Sequence, residues 1–237
     1  MSNVEEKQKK TSKWLSITAV ILGIVGIGML MVVAMGVFRD FDARTYTQVI
    51  LDQTFKGKVD EEAEIIGESD PDAMLQQYEA GIVSFVRNNI INDVTMSDEL
   101  TNKYIALAKQ IFASMKNEVK EAEKVDKREF LVPVEFQPTD LFTKFTAAVA
   151  EESDAMEKKA YQGEYKGSFE EINAQMEEEF LVNCYNRLET LAKEMSFGEK
   201  ETMKLTVATN EAGNFTLDEQ ELQQFIQKIL GLDAIQD

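Results

Sequence analysis

The chain contains no histidine. That removes the commonest general base, the histidine-based catalytic triads and most zinc sites. It has one cysteine, Cys184. A lone thiol without histidine forms no Cys–His nucleophile pair, and no intrachain disulfide can brace the fold. Glycine-rich phosphate loops are missing too, since the 12 glycines are scattered along the chain. Cationic residues are scarce, 25 against 43 acidic ones, for a net charge of −18. A surface this acidic repels nucleic acid, anionic lipid headgroups and other polyanions, so no nucleic-acid partner is expected. These absences leave no catalytic residue, metal ligand set or cofactor site to nominate. The expectation is a protein that is not an enzyme.

Charge of either sign is missing from residues 14–38, WLSITAVILGIVGIGMLMVVAMGVF. As a helix this run reaches roughly 37 Å, enough to cross a hydrocarbon core of about 30 Å with some tilt. Its Leu, Ile, Val and Phe side chains favour insertion by roughly 0.3–0.6 kcal/mol each near the helix centre, several kcal/mol together. Lys7, Lys9, Lys10 and Lys13 precede the run, whereas beyond it Arg39 and Arg44 are interleaved with Asp40 and Asp42. Positive charge beside a span stays in the cytoplasm. Residues 1–13 therefore read as a cytoplasmic tail, residues 14–38 as a single-pass anchor in the cell membrane, and the remainder as extracytoplasmic. A cleaved signal peptide, with Ala34 and Gly36 at the cleavage site, is the competing reading. Cleavable apolar regions run about 7–15 residues, and this one is much longer. Lipid attachment would need a cysteine directly after the apolar run, and Cys184 lies far from it. Within the run, Ser16, Ala19, Gly23 and Gly26 form a small-residue stripe that suits pairing with a membrane protein or a second copy.

Residues 39–45 read as a juxtamembrane linker and residues 46–237 as one domain. The periodic apolar residues beyond the span are those of a folded chain, and this length closes a single substantial core. An extracytoplasmic domain without disulfides fits a bacterial surface protein that relies on its core better than a small eukaryotic secreted module. Tyr46, Val49 and Ile50 mark one face of a helix that stops at Gly57. Ser69 is placed to cap a helix with Pro71 in its first turn and a stripe of Leu75, Tyr78, Ile82, Phe85, Val86 and Ile90. Ser97 caps the next, with Leu100, Tyr104, Leu107, Ile111 and Met115 at helical steps.

The period then shortens to two. Phe130, Val132, Val134 and Phe136 alternate as a half-buried strand, and Pro133 within it predicts an edge position or a bulge. Residues 118–125 are its expected hairpin partner. Asp140 starts a helix through Phe142, Phe145 and Val149, and the loop 162–167 follows. Ser168 and Glu171 make a capping-box pattern before a long stripe of Phe169, Ile172, Met176, Phe180, Cys184, Leu188, Leu191 and Met195. Cys184, in mid-stripe, reads as an inert buried thiol. Met203, Leu205 and Val207 alternate in a second strand, joined through a turn at residues 210–214 to Phe215 and Leu217. Thr216 and Glu219 are placed to cap a last helix carrying Leu222, Phe225, Ile226 and Leu230.

The order predicts an α+β fold: an antiparallel sheet of about four strands in two hairpins, packed with several amphipathic helices and preceded by the transmembrane helix. A long helix cradled by a curved sheet is one specific form, by analogy. The acidic runs at Glu151 and Glu152, Glu170 and Glu171, and Glu177 to Glu179 read as solvated helix faces. A loop around Gly213 places alanines where calcium needs oxygen ligands. Tyr78, Phe85, Tyr104 and Phe136 are the candidate lining of an apolar ligand pocket. Three functional readings follow: a ligand-, peptide- or protein-binding domain at the cell surface, an accessory or regulatory subunit of a membrane transport, secretion or sensing complex, and, least favoured, a cell-envelope hydrolase. The last needs two carboxylates facing across a cleft.

The stretch YTQVILDQTFKG at residues 46–57 carries a resemblance. So do Gly67, Glu68 and Ser69 with Tyr78 and Gly81, then Leu100 and Tyr104, Val119 and Ala122, and Val134 through Pro138 with Asp140. At these positions the chain resembles a bacterial extracytoplasmic domain family of unknown function, found in lipoproteins and membrane-anchored proteins of Gram-positive bacteria. Many of those proteins carry a lipid-attached cysteine that this chain lacks, so here a protein anchor would replace the lipid. The resemblance implies an anchored α+β domain on the outer membrane face and supplies no catalytic residues.

Overall fold

The computed structural model describes residues 41–58, 71–90, 96–211 and 213–233. Residues 14–38, with Ser16, Ala19, Gly23 and Gly26, lie outside them, as does Ser69. Among the described residues no helix is long and apolar enough to cross a membrane. The fold they form is α+β, with six helices and one antiparallel sheet.

Helix α1 (Ala43–Lys56) is the hub. Asp42 caps it, its carboxylate accepting from Thr45 N at 3.0 Å and Thr45 Oγ1 at 2.6 Å. The helix ends where Gly57 turns left-handed (φ 62°) and donates its N–H to Gln53 O. The sequence predicts one apolar stripe, but the helix is buried around most of its circumference, Thr47, Leu51, Gln53, Thr54 and Phe55 included. It is enclosed because it packs on the sheet through β1 and β3 and on α3. The buried Thr47 and Thr54 hydroxyls donate back to the carbonyls of Ala43 and Ile50, one turn earlier. The linker expected at residues 39–45 is also shorter than read. Helix α1 begins inside it, and Phe41, half-buried, already packs against the core, stacked on Phe215 at 3.9 Å and tilted against Phe130 and Tyr46.

The sheet comprises β1 (Lys116–Val119), β2 (Glu123–Lys124), β3 (Glu129–Gln137), β4 (Glu201–Thr209) and β5 (Phe215–Leu217). Its order is β1-β3-β4-β5, with β2 also paired to β3. The two expected hairpins are present, but the first partner strand is broken in two, and β3 is internal where an edge position was one expectation. The register explains how an internal strand holds a proline. Val119 faces Val134 and Glu123 faces Leu131, so residues 120–122 lie opposite only residues 132–133. The extra residue is a bulge in the neighbouring strand, at the one place where Pro133 has no N–H to offer. Its carbonyl still accepts from Lys120 N at 2.9 Å.

Phe130, Val132, Val134 and Phe136, with Leu205 and Val207 of β4, point into the core. The opposite face is polar: Glu135 pairs with Lys120 and Lys200, and Glu123 with Lys204. Against the inner face the helices meet through a chain of rings. Phe136 touches Phe225, which touches Phe55; Phe55 meets Phe112, and Phe85 lies between Phe112 and Phe142.

The remaining helices are α2 (Pro71–Asn89), α3 (Asp98–Ala113), α4 (Leu141–Tyr161), α5 (Phe169–Lys193) and α6 (Glu219–Ile229). Ser97 caps α3 as expected, accepting from Leu100 N. On α2 the buried residue is Met74, while Leu75 is 39% exposed, so that stripe starts one position earlier than read. Helix α6 is capped by Asp218, which accepts from Glu221 N; Thr216 lies in β5. Glu221 accepts instead from the N–H and hydroxyl of Thr206, stitching α6 to β4 just beyond the last β4–β5 residue pair.

Candidate functional site

Helices α4 and α5 form a long antiparallel hairpin, packed mainly on each other, with α5 also touching α3. Asp140 binds its root together by accepting from Ser196 N at 3.1 Å and from the Ser196 hydroxyl. Burial raises the Asp140 pKa, but the bonds from Lys144 and Ser196 outweigh it and hold the carboxyl below its ordinary range. Midway, Glu152 accepts from Arg187 Nε at 2.8 Å and Asn183 Nδ2 at 3.3 Å. Cys184 lies beside this group, buried, its thiol pushed up to about 12 by desolvation and then by Glu152. It is not a nucleophile at neutral pH.

The tip of the hairpin is braced at each step. Gln162 and Gly163 donate back to Lys158 O and Ala160 O as α4 ends, and Gly163 is left-handed (φ 71°). Gly167 has φ 129°, and a Cβ there would lie 2.5 Å from Glu171 Oε2. The positive φ favours glycine there, and Glu171 folds back over it in the capping box with Ser168, whose two reciprocal bonds are both formed. Gln175 donates to Lys166 O at 3.1 Å. Behind the turn, Glu179 accepts from Lys159 and, at 3.0 Å, from the Tyr165 hydroxyl. The Lys159 bond holds Glu179 below its ordinary carboxylate range. Burial, then the bond to Glu179, pushes Tyr165 up to about 12.

This hydrogen-bonded turn displays large aromatic side chains. Tyr161 is 71% exposed and Phe169 45%. With Tyr165, aromatic residues recur every fourth position across a segment otherwise made of Gln, Gly, Glu, Lys and Ser. Exposed aromatics on a preorganised backbone are the features that dominate protein–protein hot spots, because little side-chain entropy is lost on binding. The helical stripe expected from the sequence runs through Phe169 and leaves Tyr161 out. The four-residue spacing of aromatics across glycines was the available signal. The stripe is in fact buried at Met176, Leu181, Cys184 and Leu188, since α5 packs on its neighbours only beyond its first turns.

The four candidate pocket residues are all buried. Tyr78 covers the Gly57 backbone and carries Lys109 over its face at 5.8 Å. Tyr104 donates its hydroxyl to Leu181 O at 2.8 Å and meets Tyr185 edge-on. Phe85 and Phe136 sit at separate points of the ring chain, with Phe112, Phe55 and Phe225 between them. The fold therefore uses them as packing at different places. Among the described residues no three Asp, Glu or Cys side chains are grouped to hold a metal ion.

No protein-family profile matches the chain, and no curated protein matches it. Among solved structures it is similar to the crystal structure of a candidate lipoprotein, YcdA, from Bacillus subtilis subsp. subtilis str. 168. The TM-score is 0.50 at 12% identity, over 80% of this chain and 56% of that one. The chain thus spans a little over half the length of that protein. At this identity the likeness speaks for a shared α+β fold.

Proposed function

We propose that the chain is a membrane-anchored, extracytoplasmic binding domain of a bacterial cell surface that engages a protein partner through the tip of its α4–α5 hairpin. The observation that carries the reading is the exposure of Tyr161 and Phe169 on a turn held by its own hydrogen bonds. The uncharged run at residues 14–38 supports an anchor with residues 1–13 in the cytoplasm. The fold shared with a candidate lipoprotein of a Gram-positive bacterium supports the same compartment. The domain is not an enzyme in this reading, takes no cofactor and binds no nucleic acid. Its partly buried carboxylates Glu152 and Glu179 are committed to Arg187 and Lys159 rather than facing each other across a cleft.

The test is photocrosslinking in intact cells, with a photoreactive phenylalanine at position 161 and a control at exposed position 199. We expect a discrete protein adduct from position 161, lost in the Phe169→Ala variant and absent from the control. Equal crosslinking from both positions would overturn the tip as the binding surface. An adduct that is a multi-pass membrane protein, and that disappears with Gly23→Leu, would instead identify an accessory subunit.

A further inference from the structure

We propose that the end of the domain formed by Phe41 and the tips of the β2–β3 and β4–β5 hairpins rests against the lipid headgroups. The proposal builds on the reading that residues 14–38 span the membrane. Phe38 ends the uncharged run and Phe41 is three residues further on. Three extended residues reach at most about 11 Å. The headgroup layer of one leaflet is itself about 5–8 Å thick. Phe41 is not part of a slack tether, because its ring is stacked on Phe215 at an interplanar angle of 8° and packs on Phe130 and Tyr46. The leash therefore ends at a half-buried ring packed against the core, and the domain swings away from the bilayer only by unpacking that ring.

The same rings fix which end faces the lipid. Phe130 is the second residue of β3 and Phe215 the first of β5, so Phe41 marks the end of the sheet where the turn at 126–128 and the turn closed by Asn210, Gly213 and Asn214 project. Val125 there is 53% exposed. Lys127 and Arg128 enter no ion pair among the described residues, and Lys124 lies over the Phe130 ring. With Asp126, Glu129 and Glu211 nearby, this end is close to neutral on a domain whose charge elsewhere would repel anionic lipid. The root of the α4–α5 hairpin, at Asp140 and Ser196, lies beyond the other end of β3 and β4. A nine-residue strand separates the two ends by roughly 26–30 Å.

The full chain would be reconstituted into vesicles of phosphatidylcholine and phosphatidylglycerol with a nitroxide on a fraction of the headgroups. One variant, Val125→Cys, carries a fluorophore at the near end, and another, Glu199→Cys, carries it at the far end. Lys127→Cys serves as a second near-end reporter, and Cys184 is left in place because it is buried. We expect the near-end labels to be quenched at least threefold more than the far-end label. Flotation of the chain with the vesicles but equal quenching, or stronger quenching at position 199, overturns the orientation and leaves the anchor standing. Failure to float with the vesicles overturns the anchor, and the orientation with it.

Discussion

Gly57 ends helix α1 with φ 62°, and the space a Cβ would take is filled: the nearest Tyr78 ring atoms would stand 2.5 and 2.7 Å away. Alanine there pays both for the left-handed backbone and for displacing a buried ring that also carries Lys109. We expect Gly57→Ala to cost about 2–3 kcal/mol, which for a domain of this size is a fall of roughly 4–12 °C in midpoint. Thermal unfolding followed by circular dichroism measures it, and a midpoint within 1 °C of the parent would show that Tyr78 yields freely. The helix stop at Gly57 was legible because glycine after an apolar stripe is a local signal. The ring that covers it was not, since Tyr78 is brought there by α2, and no spacing within either helix encodes the meeting.

The α4–α5 hairpin shows how charge holds an element that has little core at its tip. Glu179 has a depressed pKa in the fold, so its pairing with Lys159 and Tyr165 stabilises the turn above the ordinary carboxylate pKa. That contribution is lost as pH falls through the lowered folded value. The pair is partly exposed and is worth about 0.5–1 kcal/mol, two- to fivefold in local opening. Hydrogen-exchange protection across residues 160–170 should therefore drop that much as pH goes from 6 towards 3. In Glu179→Gln the protection should already be lower at pH 6, leaving only the acid-dependent part that comes from Glu171, which Ser168 also holds below its ordinary range; a profile identical to the parent's would remove Glu179 as the brace. The hairpin's limits and its capping box were readable from Asp140, Ser168 and Glu171, whose meaning is local. Its exposed aromatics were misread because a helical stripe was extended to Phe169, where no neighbour covers it. Pro133 was legible in part: the bulge it predicts is there, opposite it, while the edge position is not. A proline can sit inside a sheet when the adjacent strand supplies the bulge, and that is a property of residues 120–122 rather than of the proline's own strand.

For the molecule as a whole, the boundary of the folded unit moves to Phe41. Residues 41–237 should unfold in urea in a single transition. Phe41→Ala should lower the midpoint by an amount worth about 2 kcal/mol with an unchanged slope, since a half-buried ring loses both area and aromatic contacts. A shift below 0.3 kcal/mol would show that Phe41 is peripheral, and the short leash proposed between the domain and the membrane would then be slack. The class of the fold was legible because amphipathic stripes of two periods specify helices over one face of a sheet. The anchoring of Phe41 was not, because a single aromatic after a charged pair has no pattern until β3 and β5 are assembled around it.

That assembly sets an order of events. Phe41 waits for Phe215, and Phe55 for Phe225, so the first described helix has no complete environment until β5 and α6 have been made. Contacts of such long sequence separation form late and slowly. A polypeptide with this wiring stays unfolded through most of its synthesis, which is the state in which a chain can be threaded through a narrow conduit. In the proposed topology, where the domain follows its own anchor across a bilayer, late closure would keep the passage open until α6 has gone through.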